Sequence, residues 1–189
     1  VASFFEDGIN RSEPERLESF KVGWKTASVE LPDDIEARMF SVLSMLATVS
    51  PNDKSYKVQI EAGALAESVL KIIPDHPAGF HYAIHAYDYP PLAPNAIRVA
   101  REYYMLAPEV PHALHMPTHI FTRLGYWQES VDLNLRSADA AWKMPVDGKI
   151  SNHYFHALDY LVYAYLQQSQ YDRANEISKL LDTLHGQYQ

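Results

Sequence analysis

The chain has no cysteine, no cluster of basic residues and no long apolar run. The absence of cysteine excludes disulfides and thiolate metal sites. Lys and Arg number 16 against 24 Asp and Glu, a formal net charge of -8, so we predict no nucleic-acid partner and no anionic membrane surface as partner. No apolar run approaches the roughly 20 residues of a membrane helix. We therefore predict a soluble protein without membrane insertion.

The composition is that of a globular domain. Of 189 residues, 47% are hydrophobic and 21% are charged, which is enough apolar surface to bury a core. The chain starts at Val1, with neither a methionine nor a basic stretch followed by an apolar one. This start indicates a mature chain or a fragment of a longer one.

A short histidine motif occurs twice at a fixed interval. Residues 77–88 read PAGFHYAIHAYD and residues 111–122 read PHALHMPTHIFT, so that His81 recurs as His115 and His85 as His119, each 34 residues later. This period is the length of the tetratricopeptide repeat, a pair of antiparallel helices that buries its apolar faces by stacking. We therefore predict an all-α fold, a right-handed α-α superhelix of tetratricopeptide-like helix pairs.

Packing residues recur at the tetratricopeptide positions. Counted from Pro77 as position 1, Phe80 and Tyr87 lie at positions 4 and 11, and the second helix of this unit is predicted from about Pro94 to Leu106. In the last unit, Phe155 is taken as position 1. We predict one repeat domain over residues 1–189, with approximate units 14–32 (partial), 35–74, 77–108, 111–144 and 153–185.

Positions 5 and 9 of the first helices share one face, which lines the concave groove of a tetratricopeptide stack. The repeated histidines fall at these positions, and the last unit places Asp159 and Tyr163 in the same columns. The predicted groove residues that contact a ligand are His81, His85, His112, His115, His119, Arg123, His156, Asp159 and Tyr163.

Three segments carry a family resemblance: HPAGFHYAIHAYD, APEVPHALHMPTHIFTRLGYWQES and HYFHALDYLVYAYLQQSQYDRA. They resemble bacterial tetratricopeptide-repeat proteins with histidines in successive first helices, over roughly residues 14–185. The resemblance implies the superhelix and a bacterial cytoplasmic or periplasmic location, but no reaction, so we predict no catalytic residue. The carboxylate clamp of chaperone-binding repeats uses Lys and Asn in columns that hold histidine here, which argues against chaperone tails as ligands.

We predict first a scaffold that binds a peptide or partner protein in the histidine-lined groove. The alternative is a metal site, because two histidines four residues apart present both imidazoles on one helical face, as in helical zinc sites. The candidate ligands are His81, His85, His115 and His119, with an oxygen from Asp88 or Asp159 and second ligands or acid-base groups from His112 and His156. Zinc, copper, iron or nickel fits this set, and an open position would permit metal-dependent catalysis.

A third interpretation assigns these side chains to hydrogen bonds across the stack, which would stiffen the superhelix. The last helix, predicted from about Asp172 to His185, has no capping helix after it. Because solenoid ends need a polar cap, we expect this end to meet another chain, as in a homo-oligomer, or the native protein to continue past Gln189.

Overall fold

The structure, a computed structural model, describes residues 2–184. The chain folds into two compact units, Val1–Tyr87 and Asp88–Gln189, and each is described by itself; the prediction of a single repeat domain stays a prediction. The only β-structure among the described residues is one isolated bridge between Val146 and Lys149. None of the helices in this part of the chain is both long and apolar enough to cross a membrane.

The first unit is built of helices joined by short turns. They are α1 (Ala2–Phe5), α2 (Glu13–Glu30), α3 (Ile35–Ala47), α4 (Lys57–Leu70) and α5 (Pro77–Tyr87). Ser12 and Glu15 form a capping box at the start of α2, and the Asp34 side chain accepts the Ala37 N–H at the start of α3, at 3.0 Å. These caps satisfy backbone donors that a helix start leaves unpaired.

The core of the first unit lies between α3, α4 and α5. Met39 and Val42 of α3, Val69 of α4 and Ile84 of α5 are buried there. Helix α4 comes very close to α5 at Gly63, where an added Cβ would lie 2.3 Å from Cζ of Tyr87. A side chain at position 63 would therefore have to displace the Tyr87 ring.

The second unit consists of further helix pairs. Its elements are a 3₁₀ turn (Ala93–Ala96), α6 (Ile97–Tyr103), α7 (Pro111–Leu124), α8 (Trp127–Trp142), α9 (Asn152–Gln167) and α10 (Tyr171–Thr183). Helix α7 ends at Gly125, whose φ of 74° is the left-handed conformation that terminates many helices. Helix α8 packs against both α7 and α9, and its buried residues Val131 and Ala138 contribute to a core with Leu158, Leu161 and Tyr165.

Two predicted helix boundaries differ from the structure. The segment from Pro94 begins as a 3₁₀ turn, and the α-helix covers only Ile97–Tyr103. Helix α9 begins at Asn152, three residues before the predicted position 1, because the Ser151 side chain caps it by accepting the His153 N–H. The predicted end of the last helix at His185 lies outside the described residues.

The all-α helical repeat predicted from the 34-residue period is thus the observed architecture. Helices α7, α8 and α9 of the second unit follow one another and pack as neighbours. Helix α7 also contacts α9 directly, so side chains of these two helices can meet.

Candidate functional site

Helix α7 presents two histidines one turn apart. His115 and His119 are four residues apart and so lie on one face of the helix, with their Nε2 atoms 3.1 Å apart. His115 is buried, with 2% of its surface exposed, and His119 is partly buried. The structure therefore differs from the predicted groove at His115, which lies inside the packed unit.

Helix α9 brings a third histidine and a tyrosine to this pair. His156 follows His115 by 41 residues and Tyr160 follows His119 by the same interval. The ring centroids of His115 and His156 are 4.3 Å apart, and the Tyr160 ring lies 4.6 to 5.2 Å from all three imidazoles. One ligand nitrogen from each of His115, His119 and His156 lies within 4.8 Å of the other two. We call these three side chains the histidine cluster.

Helix α8 fixes the tautomer of His115. The Asn134 Nδ2 donates to the Ser130 carbonyl at 2.9 Å, so its Oδ1 faces the other way, towards His115 Nδ1 at 2.8 Å. An amide oxygen only accepts hydrogen bonds, and His115 Nδ1 must therefore carry the hydrogen. The neutral imidazole of His115 then has its lone pair on Nε2, which faces the cluster.

Asp88 does the same for His119. Its Oδ2 lies 2.9 Å from His119 Nδ1, and its Oδ1 accepts from Arg123 Nε at 2.8 Å. Burial alone would raise the pKa of Asp88, but the hydrogen bonds and charges of His119 and Arg123 hold that pKa below its usual range. The ionised carboxylate can only accept, so His119 Nδ1 is the donor and Nε2 is left to face His115.

Two Nε2 lone pairs facing each other at 3.1 Å repel unless a cation lies between them. A proton removes this repulsion if His119 is an imidazolium that donates from Nε2 to His115. A metal ion bound by both nitrogens removes it as well. Metal-binding histidines characteristically donate their other ring N–H to a carboxylate or carbonyl oxygen. Here both Nδ1 atoms donate to such oxygens.

Desolvation favours the neutral, metal-binding form of His115 and His156. Desolvation, together with the nearby His119, lowers the pKa of His115 to about 3. Desolvation likewise lowers the pKa of His156, with His119 contributing. Burial and the Asp88 charge raise the pKa of Tyr160 to about 12, so its hydroxyl, 3.1 Å from His119 Nδ1, stays protonated at neutral pH.

The other predicted site residues are not members of the histidine cluster. His81 and His85 belong to α5 of the first unit, with Nε2 atoms 3.0 Å apart. In the second unit, His112 lies beside His153, with ring centroids 5.4 Å apart. Asp159 is exposed, and Tyr163, also exposed, packs its ring against Trp127.

Asn134 and Tyr160 are not among the predicted site residues. Asp88, a predicted oxygen ligand of the metal, instead bonds the outer nitrogen of His119. The spacing of 41 residues from His115 to His156 and from His119 to Tyr160 was the available signal for Tyr160. The predicted repeat positions do not show this spacing, because position 1 of the last unit is placed at Phe155 and not at Asn152. Nothing in a linear pattern pointed to Asn134, since its role depends on the packing of α8 against α7.

In fold, the chain is similar to solved structures of MamA, a tetratricopeptide-like protein. A MamA mutant structure matches 87% of this chain and 96% of that chain, with a TM-score of 0.54 and 11% sequence identity. A structure titled MamA MSR-1 C2 matches 84% of this chain and 97% of that one, with a TM-score of 0.49 and 11% identity. The first likeness confirms the predicted tetratricopeptide-like all-α fold. No protein-family model and no curated protein matches the chain.

Proposed function

We propose that the second unit binds one divalent transition-metal ion, zinc in the first instance, through His115 Nε2, His119 Nε2 and a ring nitrogen of His156. The observation that carries this proposal is the convergence of three imidazoles within 4.8 Å. A proton bridges two nitrogens and explains the pair on α7, but it gives no reason for a third imidazole.

The distances suit a tetrahedral ion after a small adjustment. Zinc binds imidazole nitrogen at about 2.0–2.1 Å, which places two nitrogens of a tetrahedral site about 3.3 Å apart. The Nε2 atoms of His115 and His119 lie 3.1 Å apart. His156 is exposed, so its ring is free to move closer at little packing cost.

The ligand chemistry selects the class of metal. Imidazole nitrogen suits zinc, copper, iron and nickel, whereas magnesium and calcium require oxygen ligands. The Asp88–His119 and Asn134–His115 hydrogen bonds would hold both rings in place before the ion binds. Such bonds also raise the basicity of the ligand nitrogen.

The tetratricopeptide-like fold supports a second candidate function, a scaffold for a peptide or partner protein. Helical repeats of this kind present extended concave surfaces to their partners. His81, His85, His112, Arg123, Asp159 and Tyr163 stay predicted contacts of such a partner. The narrower resemblance to bacterial proteins with histidines in successive first helices also stays a hypothesis, as does a cytoplasmic or periplasmic location.

Calorimetric titration of the metal-free protein with zinc tests the metal proposal. We expect one site in the second unit, and His156→Ala should weaken zinc binding at that site by more than the roughly 10- to 100-fold that follows loss of an outer hydrogen-bond partner. His153→Ala is the matched control, because it removes an exposed histidine one turn earlier on the same helix and should leave the affinity unchanged. Equal weakening in both variants, or no saturable binding, would overturn the proposal.

A further inference from the structure

The metal centre described above leaves room for a ligand from solution. On the basis of the proposed metal site, we infer that the bound ion keeps one exchangeable coordination position. We infer further that this position takes a small carboxylate. The centre is then a place where a ligand binds or reacts, and not a clamp that only holds helices together.

Three protein ligands are too few to close a zinc site. Structural zinc sites are closed by four protein ligands, whereas sites with three protein ligands keep the fourth position for water or substrate. No fourth His, Cys, Asp or Glu from the described part of the second unit joins the histidine cluster. Two polar groups beside the cluster are already engaged, since Asp88 bonds His119 and Arg123, and the Tyr160 hydroxyl lies against His119 Nδ1.

The histidine cluster is open to solvent at His156. The three histidines are graded from the inside outwards: His115 is buried, His119 is partly buried and His156 is exposed. An ion held by them therefore has its protein ligands on the inner side and solvent on the side of His156. A ligand can reach it there without any rearrangement of α7 or α8.

The charges at the proposed site favour an anionic ligand. Three neutral imidazoles leave the full charge of a divalent ion uncompensated, and the Asp88 carboxylate is balanced by Arg123 at 2.8 Å. The Arg123 side chain is 42% exposed, and its Nε is the only one of its nitrogens that hydrogen-bonds within residues 2–184. Its remaining donors lie one helical turn beyond His119 and suit a second acceptor on the same ligand. A carboxylate can bind the ion and also accept hydrogen bonds from Arg123.

One nearby charge opposes an anion. Asp159 is exposed on α9, three residues after His156, and its charge acts on that imidazole. Removing this charge therefore tests the electrostatic contribution to anion binding. Asp159→Asn should strengthen carboxylate binding by about twofold, since exposed charges interact weakly through water.

The experiment uses the full chain loaded with cobalt(II), whose visible absorption reports the coordination around the ion. Acetate and azide are titrated into the cobalt form, and we expect a saturable change in the spectrum, with tighter acetate binding in Asp159→Asn. A short peptide with a free C-terminus and the same peptide with an amidated C-terminus distinguish a peptide ligand from a free acid. Only the free C-terminus should bind competitively with acetate.

The outcomes separate this inference from the proposed function. If cobalt binds at one equivalent but neither anion changes its spectrum, the fourth position is closed by the protein, and the inference fails while the metal site stands. If cobalt does not bind, the metal site itself fails. If acetate binds equally well to His156→Ala and to wild type, the anion does not occupy the ion described here, and the inference is again overturned.

Discussion

Replacing Asp88 by Asn should switch the tautomer of His119 and remove its Nε2 lone pair from the histidine cluster. Arg123 only donates hydrogen bonds, so the new amide must turn its oxygen towards Arg123 and its NH₂ group towards His119 Nδ1. His119 Nδ1 then accepts, and the ring hydrogen moves to Nε2, the atom that must bind the metal. The substitution keeps the size and shape of the side chain.

The expected effect is a zinc affinity lower by 10- to 100-fold, the range for loss of a partner that orients a metal-binding histidine. This corresponds to about 1.4–2.7 kcal/mol of binding free energy. Competition with a chelating dye in about 0.1 M salt measures the zinc affinity, and circular dichroism checks that the helix content is unchanged.

Asp159→Asn is the control for charge, since it also removes one carboxylate but makes no hydrogen bond to the histidine cluster. Its effect on zinc affinity should stay within about twofold, because exposed charges are screened. The reasoning is refuted if Asp88→Asn binds zinc as tightly as wild type, or if the two variants lose affinity equally. In either case Asp88 would not act through the tautomer of His119.

Three further predictions concern the first unit. Gly63→Ala should lower the free energy of unfolding by about 1–2 kcal/mol, because the clash of its Cβ with Tyr87 outweighs the gain in helix propensity. Asp34→Ala removes the cap of α3 and should cost about 1 kcal/mol. Burial, with the charge and hydrogen bond of Glu67, raises the pKa of Tyr87 to about 12. Stability should therefore fall between about pH 10 and pH 12 by on the order of 2 kcal/mol, since the unfolded chain deprotonates first.

Urea unfolding measures all three effects. Gly63→Ala is to be repeated in Tyr87→Phe, where the clash with the ring persists, and in Tyr87→Leu, where it is relieved; an equal loss in both would refute the packing argument. For the cap, Asp34→Asn should retain most of the stability, and a loss equal to that of Asp34→Ala would contradict a capping role. For the pH dependence, Tyr87→Phe should show a smaller loss above pH 10 than wild type, and identical curves would exclude Tyr87 as the titrating group.

The sequence was sufficient for the fold because its repeat is carried by many residues. The 34-residue interval and the aromatic residues at packing positions indicate the same helix pairs, and α5 and α7 begin at Pro77 and Pro111, where the repeat places them. Boundaries failed where one local interaction decided them. The start of α9 depends on the Ser151 cap. Because position 1 is predicted three residues too late, Asp159 and Tyr163 are predicted on the face towards α7, where the structure has Tyr160.

The candidate site was only partly predictable for a different reason. Spacing of four residues placed His115 and His119 on one face, which is a property of a single helix. The hydrogen bond from His115 to Asn134 spans 19 residues, and the contact of His119 with Tyr160 spans 41. Such partners depend on how neighbouring helices are rotated against each other, and hydrophobic periodicity does not fix this rotation to within one residue.

The central claim is that one metal ion is held by three imidazoles of the second unit. X-ray absorption at the zinc edge of the zinc-loaded full chain tests it most directly. We predict three imidazole nitrogens and one further light atom at about 2.0–2.1 Å, with two imidazoles remaining in His156→Ala and three in His153→Ala. A first shell of oxygen atoms with fewer than three imidazoles in the wild type would contradict the claim and leave the histidine cluster as a hydrogen-bonded element of the helical repeat.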